Sequence, residues 1–124
     1  MGRLAGKIAL VTGAASIPGL GSATAFRFAE EGATLILTDM NEAGAELVAA
    51  DIRSKGGNAI SMRHDVTQTS EWDAVFDRIV SDFGRLDIIV NNAGIAVLGP
   101  IADVTEADWM KQQDANLHSV FYGT

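Results

Sequence analysis

Val11–Ala25, "VTGAASIPGLGSATA", places three glycines between a short apolar run and a segment with helical periodicity. Gly13 falls just past a first strand, where the chain must turn sharply out of a sheet. Gly19 and Gly21 fall at a helix start, where the lack of a side chain lets a phosphate approach backbone N–H groups and the helix dipole. The pattern predicts a phosphate-binding turn, with a plain tight turn from strand to helix as the alternative. Ile17 and Pro18 stretch the spacing. Pro18 has no N–H to offer, while its fixed φ presets entry into the helix at Gly19. A side chain at Gly19 or Gly21 is expected to take the space of a diphosphate.

Outward from this turn, short apolar runs alternate with longer periodic segments. "KIALV" (Lys7–Val11), "ATLILTD" (Ala33–Asp39), "NAISMRHDV" (Asn58–Val66) and "LDIIVN" (Leu86–Asn91) read as strands buried on both faces. Helices are predicted over Ser22–Glu31, Asn41–Lys55 and Ser70–Phe83. The second is capped by Asn41 and stopped at Gly56-Gly57, and the third opens on a Ser70/Asp73 capping pair. Thr105 with Asp108 opens a fourth helix. This alternation predicts an α/β, Rossmann-type doubly wound parallel sheet in the order 3-2-1-4, one domain over residues 1–124. Ligands then bind beyond the C-terminal ends of strands 1 and 4, where the order reverses.

Composition narrows the function classes. Of 124 residues, 48% are apolar, which supports a real core rather than disorder. The net charge of −7 argues against nucleic acid or an anionic membrane as partner. There are no cysteines, hence no disulfide framework or thiolate metal site. The N-terminus shows no secretory apolar region and no run reaches membrane-spanning length, so a soluble cytoplasmic protein is expected. His64 and His118 have no ligand spacing, and no metal is expected. Asp114 and His118 form an ordinary i,i+4 pair. Trp72 and Trp109 fall at helical positions and are expected to pack.

Two further features bear on chemistry. Asp39 ends strand 2, 18 residues after Gly21, near the spacing of about 20 for an acid that binds adenosine ribose hydroxyls. A solvated strand-end carboxylate would look the same, but with the glycine loop it favours nucleotide binding. "NNAG", Asn91–Gly94, ends strand 4 across from the loop. Its asparagines can bridge the backbones of adjacent strands, and Gly94 permits close approach of a ligand.

With these residues in view, the sequence resembles the short-chain dehydrogenase/reductase family along essentially its whole length. Thr12-Gly13 with Gly19-Leu20-Gly21 resembles that family's Thr-Gly-x-x-x-Gly-x-Gly loop, lengthened here by two residues. "HDVT" resembles the Asp-Val that flanks adenine, "NNAG" is a family hallmark, and "DANLHSVFYGT" resembles the segment carrying the catalytic asparagine, here Asn116. Enoyl-thioester reductases of the same superfamily also stretch the loop but depart from "NNAG". The better match is the alcohol/hydroxysteroid dehydrogenase and ketoreductase branch. The resemblance implies NAD as cofactor and hydride transfer between nicotinamide and a secondary alcohol or ketone. Gly13, Ser16, Gly19, Leu20 and Gly21 would line the diphosphate and nicotinamide-ribose side. Asp39 would bind the adenosine ribose, Asp65 and Val66 the adenine, and Asn92 with Gly94 the region between the strands. Asn116 would hold a relay water through its backbone carbonyl.

That family's chemistry also needs a Ser and a Tyr-x-x-x-Lys, whose lysine lowers the tyrosine pKa. The only tyrosine, Tyr122, has no lysine after it, since Lys7, Lys55 and Lys111 all precede it. The expectation is therefore an N-terminal, cofactor-binding part of a longer homo-oligomeric enzyme, cut within its fourth helix. Alone it would be inactive and prone to pair through "LDIIV". Two alternatives stand beside it. One is a non-catalytic dinucleotide-binding module. The other is an S-adenosylmethionine-dependent methyltransferase, disfavoured because Thr12 rather than an acid precedes Gly13.

Overall fold

The computed structural model describes residues 2–96 and 98–124. Four strands, β1 (Ile8–Thr12), β2 (Thr34–Asp39), β3 (Asn58–Arg63) and β4 (Ile88–Val90), form one parallel sheet in the order β3-β2-β1-β4. Between them run α1 (Leu20–Glu30), α2 (Glu42–Ser54) and α3 (Thr69–Phe83). After β4 come a 3-10 turn (Ile101–Asp103) and a last helix, in which α4 (Glu106–Gln113) passes through a π-helical turn (Asp114–His118) into α5 (Ser119–Gly123).

The strands read as continuous apolar runs because consecutive residues enter different layers. Ala9, Val11, Leu35 and Leu37 pack with Ala25 of α1 and Val48, Ala49 and Ile52 of α2. Leu10 and Ile36 point the other way, onto Trp72, Val75 and Ile79 of α3, with Tyr122 of α5 at the margin. Each buried Val, Leu or Ile among them contributes roughly 1.5–3 kcal/mol on burial. β1 therefore hands the chain to one face through α1, while the segment after β4 ends on the other through α5. The crevice between them lies where the strand order reverses. Among the described residues β4 pairs with β1 alone, and its Ile88, Ile89 and Val90 are only half-buried.

Several boundaries differ from the sequence expectation. α1 begins at Leu20, two residues before Ser22, with Gly19 extended at the N-cap. α3 begins at Thr69 with no side-chain cap, so the Ser70/Asp73 capping pair does not form. The cause lies upstream. Asp65 Oδ1 accepts from Thr67 N–H at 3.0 Å and Thr67 Oγ1 at 2.6 Å, and Glu71 Oε1 reaches back to Asp65 N–H at 3.0 Å. That turn ends β3 at Arg63 rather than Val66 and starts the helix early. β4 starts only at Ile88, after the Asp87 carboxylate has taken the Ile8 N–H at 2.8 Å, and ends at Val90, before Asn91. The caps at Asn41 and Thr105 form as expected. Trp72 is buried, but Trp109 is 57% exposed and packs little.

The two-layer core predicts a sharp contrast within one residue class. Ile36→Ala, at a fully buried site, should cost about 2–5 kcal/mol. Leu47→Ala on α2, 69% exposed, should stay within about 0.5 kcal/mol. Urea unfolding measures both, and equal losses would contradict the layering.

Candidate functional site

Where β1 and β4 part, their backbone groups lose strand partners and two side chains replace them. Thr12 Oγ1 accepts from Asn92 N–H at 3.1 Å and Ala93 N–H at 3.0 Å, and donates to Val90 O at 3.4 Å. The Asn92 Nδ2 donates to Thr12 O at 3.2 Å and Gly13 O at 3.1 Å. Gly13 has φ of 65°, a left-handed conformation that suits glycine, and a Cβ there would lie 2.7 Å from Ala93 Cα.

The loop beyond Gly13 folds on itself. Ser22 Oγ donates to Ser16 O at 2.6 Å and to Gly19 O at 3.2 Å. A Cβ at Gly19 would lie 2.7 Å from Ser16 O, and one at Gly21 would lie 2.6 Å from Gly13 O and 2.7 Å from Asn92 Nδ2. An added side chain at either glycine thus meets the loop's own backbone, so both positions also serve the packing of the loop. The first-turn amides of α1 lack intrahelical acceptors, and no side chain caps them. Leu20 and Gly21 of that turn line the cleft, where the positive end of the helix dipole favours an anion.

Asp39 closes the loop's other side, accepting from Ala15 N–H at 3.0 Å and Asn41 N–H at 2.9 Å. Burial pushes Asp65 up, but the two bonds from Thr67 outweigh this and, with Arg63 and His64 nearby, hold its carboxyl below the ordinary range. His64, 1% exposed, sits beneath the cleft with Nδ1 3.0 Å from Thr38 Oγ1 and its ring edge-on to Trp72 at 4.3 Å. Its Nε2 is buried with no hydrogen-bond partner among the described residues. Burial lowers the His64 pKa against the opposing pull of Glu71 and Asp65, favouring the neutral ring.

Asn116 lies within the π-helical turn, where backbone bonds shift by one residue. Its side chain brackets Ile95, accepting from the N–H at 2.8 Å and donating to the carbonyl at 2.7 Å. A Cβ at Gly94 would lie 2.7 Å from Asn116 Oδ1 and would press on the carboxamide that brackets Ile95.

Gly13, Ser16, Gly19, Leu20, Gly21, Asp39, Asp65, Val66, Asn92 and Gly94 line one cleft of about 470 Å³. Asn116 stands behind its rim through Ile95. Met40, His64, Thr67, Ala93, Ile95 and Ala115 also line it and were not singled out as site residues. Met40 and Thr67 directly follow or flank the acidic pair, a signal that adjacency alone could have supplied. The donors and acceptors suit a dinucleotide, with open amides for a diphosphate and a carboxylate for ribose hydroxyls. Among the described residues no cluster suited to a metal is found. Asp114 and His118 form the expected surface pair at 2.9 Å.

The family model described as short chain dehydrogenase matches residues 7–124. The chain is 42% identical over 124 residues to the cyclopentanol dehydrogenase of Comamonas sp. (strain NCIMB 9872), covering 100% of this chain and 49% of that protein. It is 41% identical over 123 residues to the 3beta-hydroxysteroid dehydrogenase of Mediterraneibacter gnavus, covering 98% and 44%. A crystal structure of a short chain dehydrogenase from Mycobacterium smegmatis superposes with a TM-score of 0.93 at 36% identity, covering 99% of this chain and 51% of that one. The chain thus spans about half the length of the relatives it matches.

Two outcomes follow from the geometry. Gly21→Ala should lower the stability of the cofactor-free protein by about 1–3 kcal/mol, the usual cost of overpacking. Unchanged thermal unfolding with weakened dinucleotide binding would return the glycine to a purely ligand-facing role. On unfolding, His64 regains its ordinary pKa near 6.5 and takes up a proton that the folded ring refuses. Stability should therefore fall as pH drops below about 6.5 and be unaffected by this group above it. Asp65 acts lower, its contribution disappearing as pH falls through its depressed value. Thermal midpoints across pH should show the first slope in the protein and lose it in His64→Leu. A slope unchanged by that substitution would contradict the assignment.

Proposed function

This chain belongs to the short-chain dehydrogenase family, and on that premise we propose that it is the cofactor-binding part of an NAD-dependent oxidoreductase. The reaction moves a hydride between nicotinamide and a secondary alcohol or ketone. The observation that carries the choice of NAD is Asp39 on the cleft wall, with no lysine or arginine lining the cleft among the described residues. Met40, Asn41 and Glu42 follow it, and Arg63, its register partner on β3, is paired with Glu71 at 2.9 Å.

In this reading Asp39 accepts the adenosine ribose hydroxyls and Asp65 with Val66 borders the adenine. The first-turn amides of α1 hold the diphosphate, and Gly94 leaves room beside the reacting ring. The bound nicotinamide supplies the hydride acceptor or donor. Asn116 offers its backbone carbonyl to a relay water at the far end. The carbonyl-positioning Ser and the Tyr-x-x-x-Lys proton donor belong to the remainder of a full-length protein, as does most of the substrate pocket. The named relatives act on a cyclic alcohol and a hydroxysteroid, which supports a cyclic secondary alcohol as substrate class. The full-length protein is proposed to be a cytoplasmic homo-oligomer, a dimer or tetramer.

Cofactor choice gives the test. A 2′-phosphate facing Asp39 at ~4 Å, with an effective dielectric of ~20, is repelled by ~4 kcal/mol. Solvent and salt reduce this to about 1–3 kcal/mol, or roughly ten- to a hundredfold. The specificity constant of the full-length enzyme should favour NAD over NADP by that margin. Equal constants would overturn the choice, and saturable binding of S-adenosylmethionine instead of NADH would overturn the reaction class.

A further inference from the structure

Asp39 makes more contacts than a ribose acceptor requires. One oxygen takes the Ala15 N–H of the glycine-rich loop at 3.0 Å, and the other takes the Asn41 N–H at 2.9 Å. The preceding loop amide is tied to the same strand end, with Ala14 N–H donating to Thr38 O at 3.2 Å. Asn41 in turn caps α2 by accepting from Gly44 N–H at 3.0 Å. Gly44 is pressed against the loop, since a Cβ there would lie 2.9 Å from Ala15 Cβ. Loop, strand end and helix start thus meet at a single carboxylate. An ionised carboxylate has about four acceptor positions, so two remain for the cleft after the two amides are served.

We propose that Asp39 is a positioning residue for the glycine-rich loop as well as the ribose acceptor, so that one side chain sets both loop order and dinucleotide preference. The preference half rests on the NAD reading above, and the latch half does not. Removing the charge that repels a 2′-phosphate also frees the Ala15 amide. A cofactor switch at Asp39 therefore fails to deliver the NADP affinity that charge removal alone would give.

Two experiments on the full-length protein decide it. The first, without cofactor, follows amide hydrogen exchange. In Asp39→Ala the Ala15 amide should exchange at least about tenfold faster, the scale of a lost bond to a charged group. The β1 amides of Leu10 and Val11 should stay protected, which shows that the variant is folded. Asp39→Asn keeps one acceptor oxygen and should recover part of the protection. Unchanged Ala15 exchange in folded Asp39→Ala would overturn the latch.

The second measures binding of an NAD analogue lacking both adenosine ribose hydroxyls. Asp39→Ala should bind it about tenfold more weakly than the parent protein, with Asp39→Asn between them. Equal binding would show that Asp39 acts through the hydroxyls only. If the parent protein binds neither NADH nor the analogue, the NAD reading and the preference half fall together, while the exchange experiment still decides the latch.

Discussion

The parting of two neighbouring parallel strands is the constraint on which the rest depends. β1 and β4 pair through Val11 and Val90 and then leave toward opposite faces. Backbone groups at that fork would be left unpaired, at about 1–3 kcal/mol for each buried one. Thr12 and Asn92 meet the demand with complementary chemistry. A hydroxyl both donates and accepts, and a carboxamide gives two donors in one plane. The bonds from Asn92 to Thr12 Oγ1 and to the Thr12 and Gly13 carbonyls tie the two strand ends together at the fork.

From that fork the functional geometry follows by short steps. Gly13 turns the chain out in a left-handed conformation, and the loop returns to α1 so closely that Gly19 and Gly21 have no room for a Cβ. The start of α1 then lines the crevice with Leu20 and Gly21, while Asp39 lines it from the end of β2. Stability and function are held by different parts of the same elements. Strand centres carry the apolar layers, and strand ends carry groups that can bind. The buried row of Thr12, Thr38 and His64 lies between the two, polar yet almost fully enclosed.

The sheet order and the location of the cleft were legible because both rest on periodicity and on residues adjacent in sequence. Apolar runs such as "ATLILTD" and the glycine spacing carry their meaning locally. Thr12 was quoted for its place before Gly13, but its role depends on amides 80 and 81 positions away, which no pattern records. The α3 start was misplaced for a similar reason, since Glu71 reaches back to Asp65 and outcompetes the Ser70 cap. The π-helical turn around Asn116 has no compositional mark. Trp109 stands exposed at a helical position that reads as packing, because periodicity identifies a face without naming what covers it.

The central claim is that the glycine loop, the end of β2 and the end of β4 act as one dinucleotide cleft. Backbone amide NMR of the labelled full-length protein, titrated with NADH, tests it most directly. The account predicts saturable shifts concentrated at Gly13–Gly21, Asp39–Met40, Asp65–Thr67 and Asn92–Ile95. Saturable binding that shifts other parts of the protein and leaves those four segments unmoved would contradict it.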